Sequence, residues 1–350
     1  MKKILFVCID LNSGGAERVI TTLANELSVK YEIGIFMIKP SPEIKYTVLE
    51  NIKLIKNNNS IFDLISIRKK IKNFGADVVV SFLAKTNILV SLALIKSNQS
   101  LVISERNDPY QNPSSKKIRV LRDLIYNNCK IKGFIFQTED AQKYFSKKIQ
   151  SKSTIIYNPL VKDLPDYVKE KNFKRIVNVG RLDAQKNQKM LIKSFSMLKN
   201  WQTYTLDIYG EGEDKNELKK YARKLGVSSN VNFKGTTKHI YKEIKNAGLF
   251  AFSSNYEGMS NALIEALALG IPTVSTNHPI GGARELIKNG ENGLLCEVGN
   301  EIDFKNKMEQ ILLNKQYSLK ISYKALELRN KLNTNNIVSQ WINFLEKSSN

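Results

Sequence analysis

Two glutamates, Glu257 and Glu265, stand in a stretch that is otherwise mostly apolar, "YEGMSNALIEALALGIP" from Tyr256 to Pro272. Ser260 and Asn261 are suited to cap a helix that runs to Leu269, with Gly270 as its stop and Pro272 beyond. Ala262, Leu263, Ile264, Ala266, Leu267, Ala268 and Leu269 surround Glu265, so the helix is apolar on every face and belongs in an interior. A buried carboxylate is costly unless it is hydrogen-bonded or paired. Its partner is either a basic side chain of the protein or the hydroxyl groups of a ligand, and residue types alone leave both open. Position suits the ligand: the amides at Met259, Ser260 and Asn261 open a helix, which is an anion site, and a phosphate there would set sugar hydroxyls between Glu257 and Glu265.

The elements that must hold such a site follow a regular rhythm. Apolar runs "KILFVCI", "YEIGIFMI", "ADVVVSFL", "LVISE" and "GFIFQT" alternate with amphipathic stretches, which predicts βα units around a parallel sheet covered on both faces. The opening "MKKILFVCID" reads as the first buried strand rather than a signal peptide, because its apolar run is short and no small-residue cleavage site follows. A polar, proline-bearing stretch from Asn158 to Lys174 breaks the rhythm and reads as a linker. The pattern then restarts with "RIVNVGRL", "YTLDIYG", "VNFKG", "LFAFSS" and "PTVST". Two doubly wound α/β domains are expected, residues 1–160 and 161–334, with a last helix in 335–350 that packs back on the first domain. Ligands of such sheets lie outside the carboxyl ends of the strands, so the site is expected in a cleft between the domains. A chain of 350 residues suits two domains better than one.

With these residues in view, the sequence resembles the retaining glycosyltransferases of the GT-B fold, and within them glycosyltransferase family 4. Glu257 and Glu265 match its E-x7-E motif inside "NYEGMSNALIEALALGIPTVST". Three more blocks are similar in the same order: "NVGRLDAQKNQKMLIKSF", "YGEGEDKNELKKYARKLGVSSNVNFKG" and "GGARELIKNGENGLLCEVGN". The resemblance implies two Rossmann-like domains, an N-terminal acceptor domain and a C-terminal nucleotide-sugar domain. It implies that Glu257 contacts the transferred sugar, that Glu265 holds the ribose, and that Arg181 and Lys186 sit against the diphosphate. Gly180, Gly258, Met259, Ser260 and Asn261 join them around the donor. Cleaving a glycosyl-phosphate bond leaves negative charge on the departing diphosphate, which cations and helix amides in fixed positions stabilise.

Other features sharpen this reading. Gly14 and Gly15 in "LNSGGAERVI" lie between a strand and a helix, where backbone can approach a phosphate, and resemble the family's glycine-rich loop over the donor. Glu17 and Arg18 open the helix that follows. "GEG" at Gly210 to Gly212 lacks the third glycine of a dinucleotide fingerprint, with Lys215 in its place. No Asp-x-Asp occurs, so neither a metal nor any other cofactor is expected at the diphosphate. Many family members carry a histidine near the sugar in the first domain, whereas here both histidines, His239 and His278, fall in the second. The corresponding stretch "LVISERNDPYQNP" offers Glu105 and Arg106 toward an acceptor, with Asn107 and Asp108 beside them. Glu105 can orient or deprotonate an acceptor hydroxyl, or Glu105 and Arg106 can pair with neighbours at a strand end. That stretch is similar to bacterial family members that extend lipid-linked oligosaccharides.

The global numbers limit the alternatives. A formal charge of +21 invites nucleic acid or an anionic membrane, and a Lys, Asn and Ile bias of composition produces such a charge without any function. No recognition motif for nucleic acid is present, and the basic residues are not interleaved with stacking aromatics. A nucleic-acid-binding protein and a noncatalytic nucleotide-sugar-binding scaffold remain the alternatives. Cys8, Cys129 and Cys296 are too scattered for a metal knuckle or a disulfide framework. No apolar run approaches the roughly 20 residues that span a bilayer. In "SSKKIRVLRDLIYNNCKIKG", Ile118, Leu121, Leu124 and Ile125 form one stripe with Lys116, Lys117, Arg119 and Arg122 around it. This suits either a membrane-surface helix or a domain helix with its core face inward. "IRKKIKNFG", Ile67 to Gly75, adds a second cationic segment. The expected protein is a cytoplasmic enzyme peripheral to the inner face of the cell membrane, moving a sugar from a UDP-sugar to a lipid-linked saccharide with retained anomeric configuration.

Overall fold

The computed structural model describes residues 1–12 and 14–348, so Ser13 of the glycine-rich loop lies outside the described residues. The chain divides into two compact units: Met1–Pro159 with the C-terminal segment from Thr334, and Leu160–Asn333. Their boundary falls inside the proline-bearing stretch that interrupts the βα rhythm.

Unit 1 is a seven-stranded parallel sheet. Its strands are β1 (Lys3–Cys8), β2 (Glu32–Met37), β3 (Lys53–Lys56), β4 (Val78–Phe82), β5 (Ser100–Ser104), β6 (Gly133–Phe136) and β7 (Ser153–Ile155). They lie in the order β3-β2-β1-β4-β5-β6-β7, so the direction of winding reverses between β1 and β4. β4, β5 and β6 are buried along their whole length, as continuous Val, Ile and Phe runs require when both faces are covered. Helices α2 (Leu64–Phe74), α3 (Ala84–Ala93) and α4 (Lys116–Asn128) follow β3, β4 and β5 and pack in series. Right-handed crossovers in one direction put these three on one face; α1 (Gly15–Leu27), which runs from β1 back to β2, takes the other.

The terminal helix Thr334–Ser348 packs beside α1 in this unit. Its Trp341 is fully buried and stacks on Phe82 with ring centroids 5.7 Å apart. Ser100 Oγ donates to the Ser348 carbonyl at 2.7 Å.

α4 does not turn its apolar stripe toward the core, one of the two settings open to it from sequence. Of the stripe Ile118, Leu121, Leu124 and Ile125, only Ile125 is buried; Leu124 is 57% exposed, whereas Arg122 is 0% exposed. Polar anchors rotate the helix. The Arg122 guanidinium donates to the carbonyls of Pro109 at 3.1 Å and Asn112 at 2.7 Å, and lies over the rings of Tyr144 and Phe145. Tyr126, one turn on, donates its hydroxyl to Glu105. Buried hydrogen bonds to charged groups outweigh the solvation of a few aliphatic side chains.

Unit 2 repeats the plan with six parallel strands, β8 (Asn172–Val179), β9 (Thr205–Tyr209), β10 (Val231–Gly235), β11 (Ala247–Phe252), β12 (Thr273–Thr276) and β13 (Leu294–Cys296). Their order is β10-β9-β8-β11-β12-β13, reversing between β8 and β11. Ile176, Leu191, Phe195, Leu206, Leu249, Val274, Phe304 and Met308 form its core. The loops after β8 and β11 emerge side by side at the carboxyl edge where the winding reverses, the place at which sheets of this kind bind ligands.

Candidate active site

The loop after β8 carries Gly180, Arg181 and Lys186; the loop after β11 carries Glu257, Gly258, Met259 and Ser260 and leads into the helix Asn261–Ala268. Hydrogen bonds stitch the two loops together. Asn255 N donates to the Gln185 carbonyl at 2.8 Å, Asn255 Nδ2 to the Ala184 carbonyl at 2.9 Å, and Gln185 Nε2 to the Tyr256 carbonyl at 3.1 Å. Ser253 Oγ donates to the Lys186 carbonyl at 2.9 Å, and Asn187 Nδ2 to Asn255 Oδ1 at 2.8 Å.

This stitching brings Lys186 Nζ onto Glu257 Oε1, with Ser254 Oγ donating to the same oxygen at 3.1 Å. Lys186 reaches there over Gly180, where an added Cβ would lie 3.3 Å from its Cδ, and its Nζ sits 5.2 Å from the centre of the Phe252 ring. Arg181 points outward, its side chain 69% exposed, steadied by Asp183 at 2.9 Å and by Gln185 Oε1 at 3.2 Å. Lys186 and Arg181 therefore stand on one loop at the switch-point edge, with Glu257 brought onto Lys186 from the other.

The helix Asn261–Ala268 is buried on all faces from Leu263 onward, and it carries Glu265 at 8% exposure. Ser260 holds the extended N-cap conformation, yet its side chain makes no capping bond. Gly270 closes the helix end with φ of 59°. Gly282 fits under the Glu257 loop, because a Cβ there would fall 1.7 Å from the Gly258 carbonyl oxygen.

The glycines of "GEG" have a local explanation. A Cβ on Gly210, whose φ is +134°, would lie 1.9 Å from the Gly180 carbonyl oxygen, and one on Gly212 would lie 2.2 Å from that of Leu182. These residues let the loop after β9 lie against the Arg181 loop.

His278 belongs to this region, although residue types gave it no role. It is fully buried, edge-on to Phe252 with ring centroids 6.4 Å apart, and its Nδ1 lies 3.1 Å from the Pro279 carbonyl. Burial holds its pKa below the usual histidine value, against the pull of Glu257. Ser253, Ser254 and Asn255 were likewise unassigned; their signal is the polar run "SSNYEG" placed directly after the apolar "LFAF".

In unit 1, Gly14 precedes α1 and Gly15 is its first residue. The Tyr46 hydroxyl bridges Gly14, accepting from its amide at 3.0 Å and donating to its carbonyl at 2.7 Å. Glu105 and Arg106 follow β5 and turn inward. Glu105 accepts from Tyr126 and from Asn87 Nδ2 at 3.2 Å, and burial raises its pKa. Arg106 donates to Ser104 Oγ at 2.7 Å and Asn158 Oδ1 at 3.1 Å, lies over Phe82 and Trp341, and is lowered by burial to about 9. Both are bound into the packing of their own unit at this strand end.

A model of the family described as glycosyl transferases group 1 matches residues 162–330. The chain is 33% identical to a Campylobacter jejuni protein named as an N-acetylgalactosamine-N,N'-diacetylbacillosaminyl-diphospho-undecaprenol 4-alpha-N-acetylgalactosaminyltransferase, over 93% of this chain and 95% of that one. A second Campylobacter jejuni protein is 29% identical across the full length of both chains and is named as an alpha-1,4-N-acetyl-D-galactosaminyltransferase acting on a GalNAc-GalNAc-diNAcBac-diphosphate-undecaprenol. Among solved structures, Anabaena HepE in complex with UDP-glucose aligns with a TM-score of 0.83 at 19% identity, over 99% of this chain and 100% of that one. The fold is thus the two-Rossmann GT-B architecture expected from the sequence, and the chain belongs to the group 1 glycosyl transferases.

Proposed function

We propose that this glycosyltransferase moves a sugar from a UDP-sugar to a saccharide carried on polyprenyl diphosphate, with retention, at the cytoplasmic face of the cell membrane. The observation that carries the reading is the Lys186–Glu257 pair beside Arg181 at the switch-point edge of β8 and β11. A donor diphosphate draws Lys186 Nζ and Arg181 to its oxygens, and the start of the helix Asn261–Ala268 adds its amide dipoles. Glu257, relieved of part of its pairing, accepts a sugar hydroxyl, and Glu265 accepts from the ribose. The acceptor hydroxyl oxygen bonds to the anomeric carbon from the face the diphosphate leaves; the carbon-diphosphate bond breaks, and the hydroxyl proton passes to the departing diphosphate. Charge on that leaving group is met by protein cations, with neither a metal nor any other cofactor assigned.

The acceptor class is supported by the names of the Campylobacter jejuni relatives, and the nucleotide by the HepE complex with UDP-glucose. Among the described residues no helix is long and apolar enough to cross a membrane. The test is UDP release from a panel of UDP-sugars, UDP-N-acetylgalactosamine first, with and without a polyprenyl-diphosphate saccharide. Acceptor-dependent release in the wild type and its loss in Lys186→Ala are expected. Release that no acceptor stimulates, or that survives in Lys186→Ala, contradicts the reading.

A further inference from the structure

His278, fully buried beside the donor loops, has a ring nitrogen that its surroundings do not satisfy. Its Nδ1 lies 3.1 Å from the Pro279 carbonyl oxygen, which can only accept, so Nδ1 carries the proton of the neutral ring and donates it there. Nε2 is left as a bare lone pair, and it has no hydrogen-bond partner among the described residues. A buried acceptor without a donor is costly, so its presence at this point calls for a reason.

The ring is placed to act on Glu257. Its Cε1, the atom between the two nitrogens, would lie 3.2 Å from a Cβ on Gly282, and Gly282 sits directly under the Gly258 carbonyl. The nitrogen-bearing edge is thus turned toward the loop that carries Glu257. The charged groups that act on the ring are Glu257 and Lys186, from the loops after β11 and β8, and Arg284 of its own loop, whose Nε donates to Asn277 Oδ1 at 2.9 Å. Burial, Lys186 and Arg284 favour the neutral ring; Glu257 and the Pro279 carbonyl favour the imidazolium. While Lys186 holds Glu257, their charges offset one another and the ring stays neutral.

A bound donor upsets this balance. Its diphosphate draws Lys186 Nζ toward itself and adds negative charge, which leaves the nearly buried Glu257 carboxylate short of its cation. We infer that His278 then takes up a proton at Nε2 and replaces Lys186 as the counter-charge of Glu257, so that donor binding and protonation of His278 are one coupled event. The proton comes from solvent, and no bond of the donor forms or breaks in this step. His278 is a positioning residue: it keeps Glu257 ionised and in place for the sugar hydroxyl while Lys186 serves the diphosphate. The inference rests on the donor site proposed above and adds a proton to its binding equilibrium.

The chain has two histidines, and His239 is exposed, so isotope-labelled histidine in the full chain gives one buried signal and one internal reference. Long-range proton–nitrogen correlation spectra are compared at about pH 7.5 without donor and with saturating UDP-N-acetylgalactosamine or UDP-glucose. His278 is expected to show one protonated and one bare nitrogen in the free chain and two protonated nitrogens with donor, with His239 unchanged. Donor affinity, measured by calorimetric titration, should weaken as pH rises by up to about tenfold per unit, the slope of one proton. His278→Gln and Glu257→Gln should each flatten that slope. A neutral His278 in both spectra, an imidazolium already present in the free chain, or an undiminished slope in either variant would overturn the inference. Donor that binds beside a neutral His278 refutes this inference and leaves the donor site standing, whereas failure of both UDP-sugars to bind refutes the donor site and this inference with it.

Discussion

Lys186 Nζ is hydrogen-bonded to Glu257 Oε1, two side chains only 14% and 10% exposed that come from loops 71 residues apart. Removing one member of so buried a pair leaves the other uncompensated. Lys186→Ala is expected to cost about 3 kcal/mol of stability. Lys186→Ala/Glu257→Ala should cost less than the two single changes summed, and denaturant unfolding of the four proteins measures the difference. In turnover, Lys186→Ala should lose about 100-fold or more in kcat.

Glu257 and Glu265 are expected to fail differently. Glu265→Ala should weaken UDP binding by about tenfold, the loss of a charge-assisted hydrogen bond. Glu257→Ala should keep most UDP affinity and lose turnover. Calorimetric titration with UDP beside steady-state kinetics separates the two, and equal effects on both quantities in both variants would refute the division of roles.

Gly210 is required by packing against Gly180, not by a dinucleotide. Gly210→Ala has both a disfavoured φ and a 1.9 Å approach to the Gly180 carbonyl oxygen to relieve. It should cost more than about 1 kcal/mol and raise KM for the donor by displacing the Arg181 loop. A variant with wild-type stability and KM would show that the loops do not depend on each other.

How much of this was legible in the sequence depends on the distance over which residues act. Glu257 and Glu265 could be singled out because they sit in one contiguous block of cap, apolar helix and glycine stop, whereas Arg181 and Lys186 were singled out only by the resemblance of their block to glycosyltransferase family 4. The contact between Lys186 and Glu257 was not legible, since it exists only because β8 and β11 become neighbours at the reversal of the sheet. His278 went unassigned for the same reason: its partners Phe252 and Glu257 come from another loop. The direction of the α4 stripe was left open by its periodicity; Arg122 and Tyr126 found partners at Asn112 and Glu105 that decided the rotation. Glu105 and Arg106 were located correctly at the strand end, but side-chain direction is a tertiary property, and the packing turned them in.

His278 makes the fold sensitive to acid. Its pKa is lowered in the folded protein, so below the unfolded value of about 6.5 the unfolded chain binds the proton more readily and stability falls as pH falls. Above that value both states are neutral and the contribution is flat. Wild type should therefore lose stability between pH 7.5 and 5.5 relative to His278→Gln, checked by thermal melts of both proteins across about two pH units. Parallel curves would show that His278 is not held neutral beside Glu257.

The central claim is a retaining transfer at the Lys186–Glu257 site. The most direct measurement is nuclear magnetic resonance of the product formed from an α-linked UDP-sugar and a polyprenyl-diphosphate saccharide. An α-glycosidic product made by the wild type and absent with Lys186→Ala is the predicted result. A β-linked product, or the same α-linked product from Lys186→Ala, would contradict it.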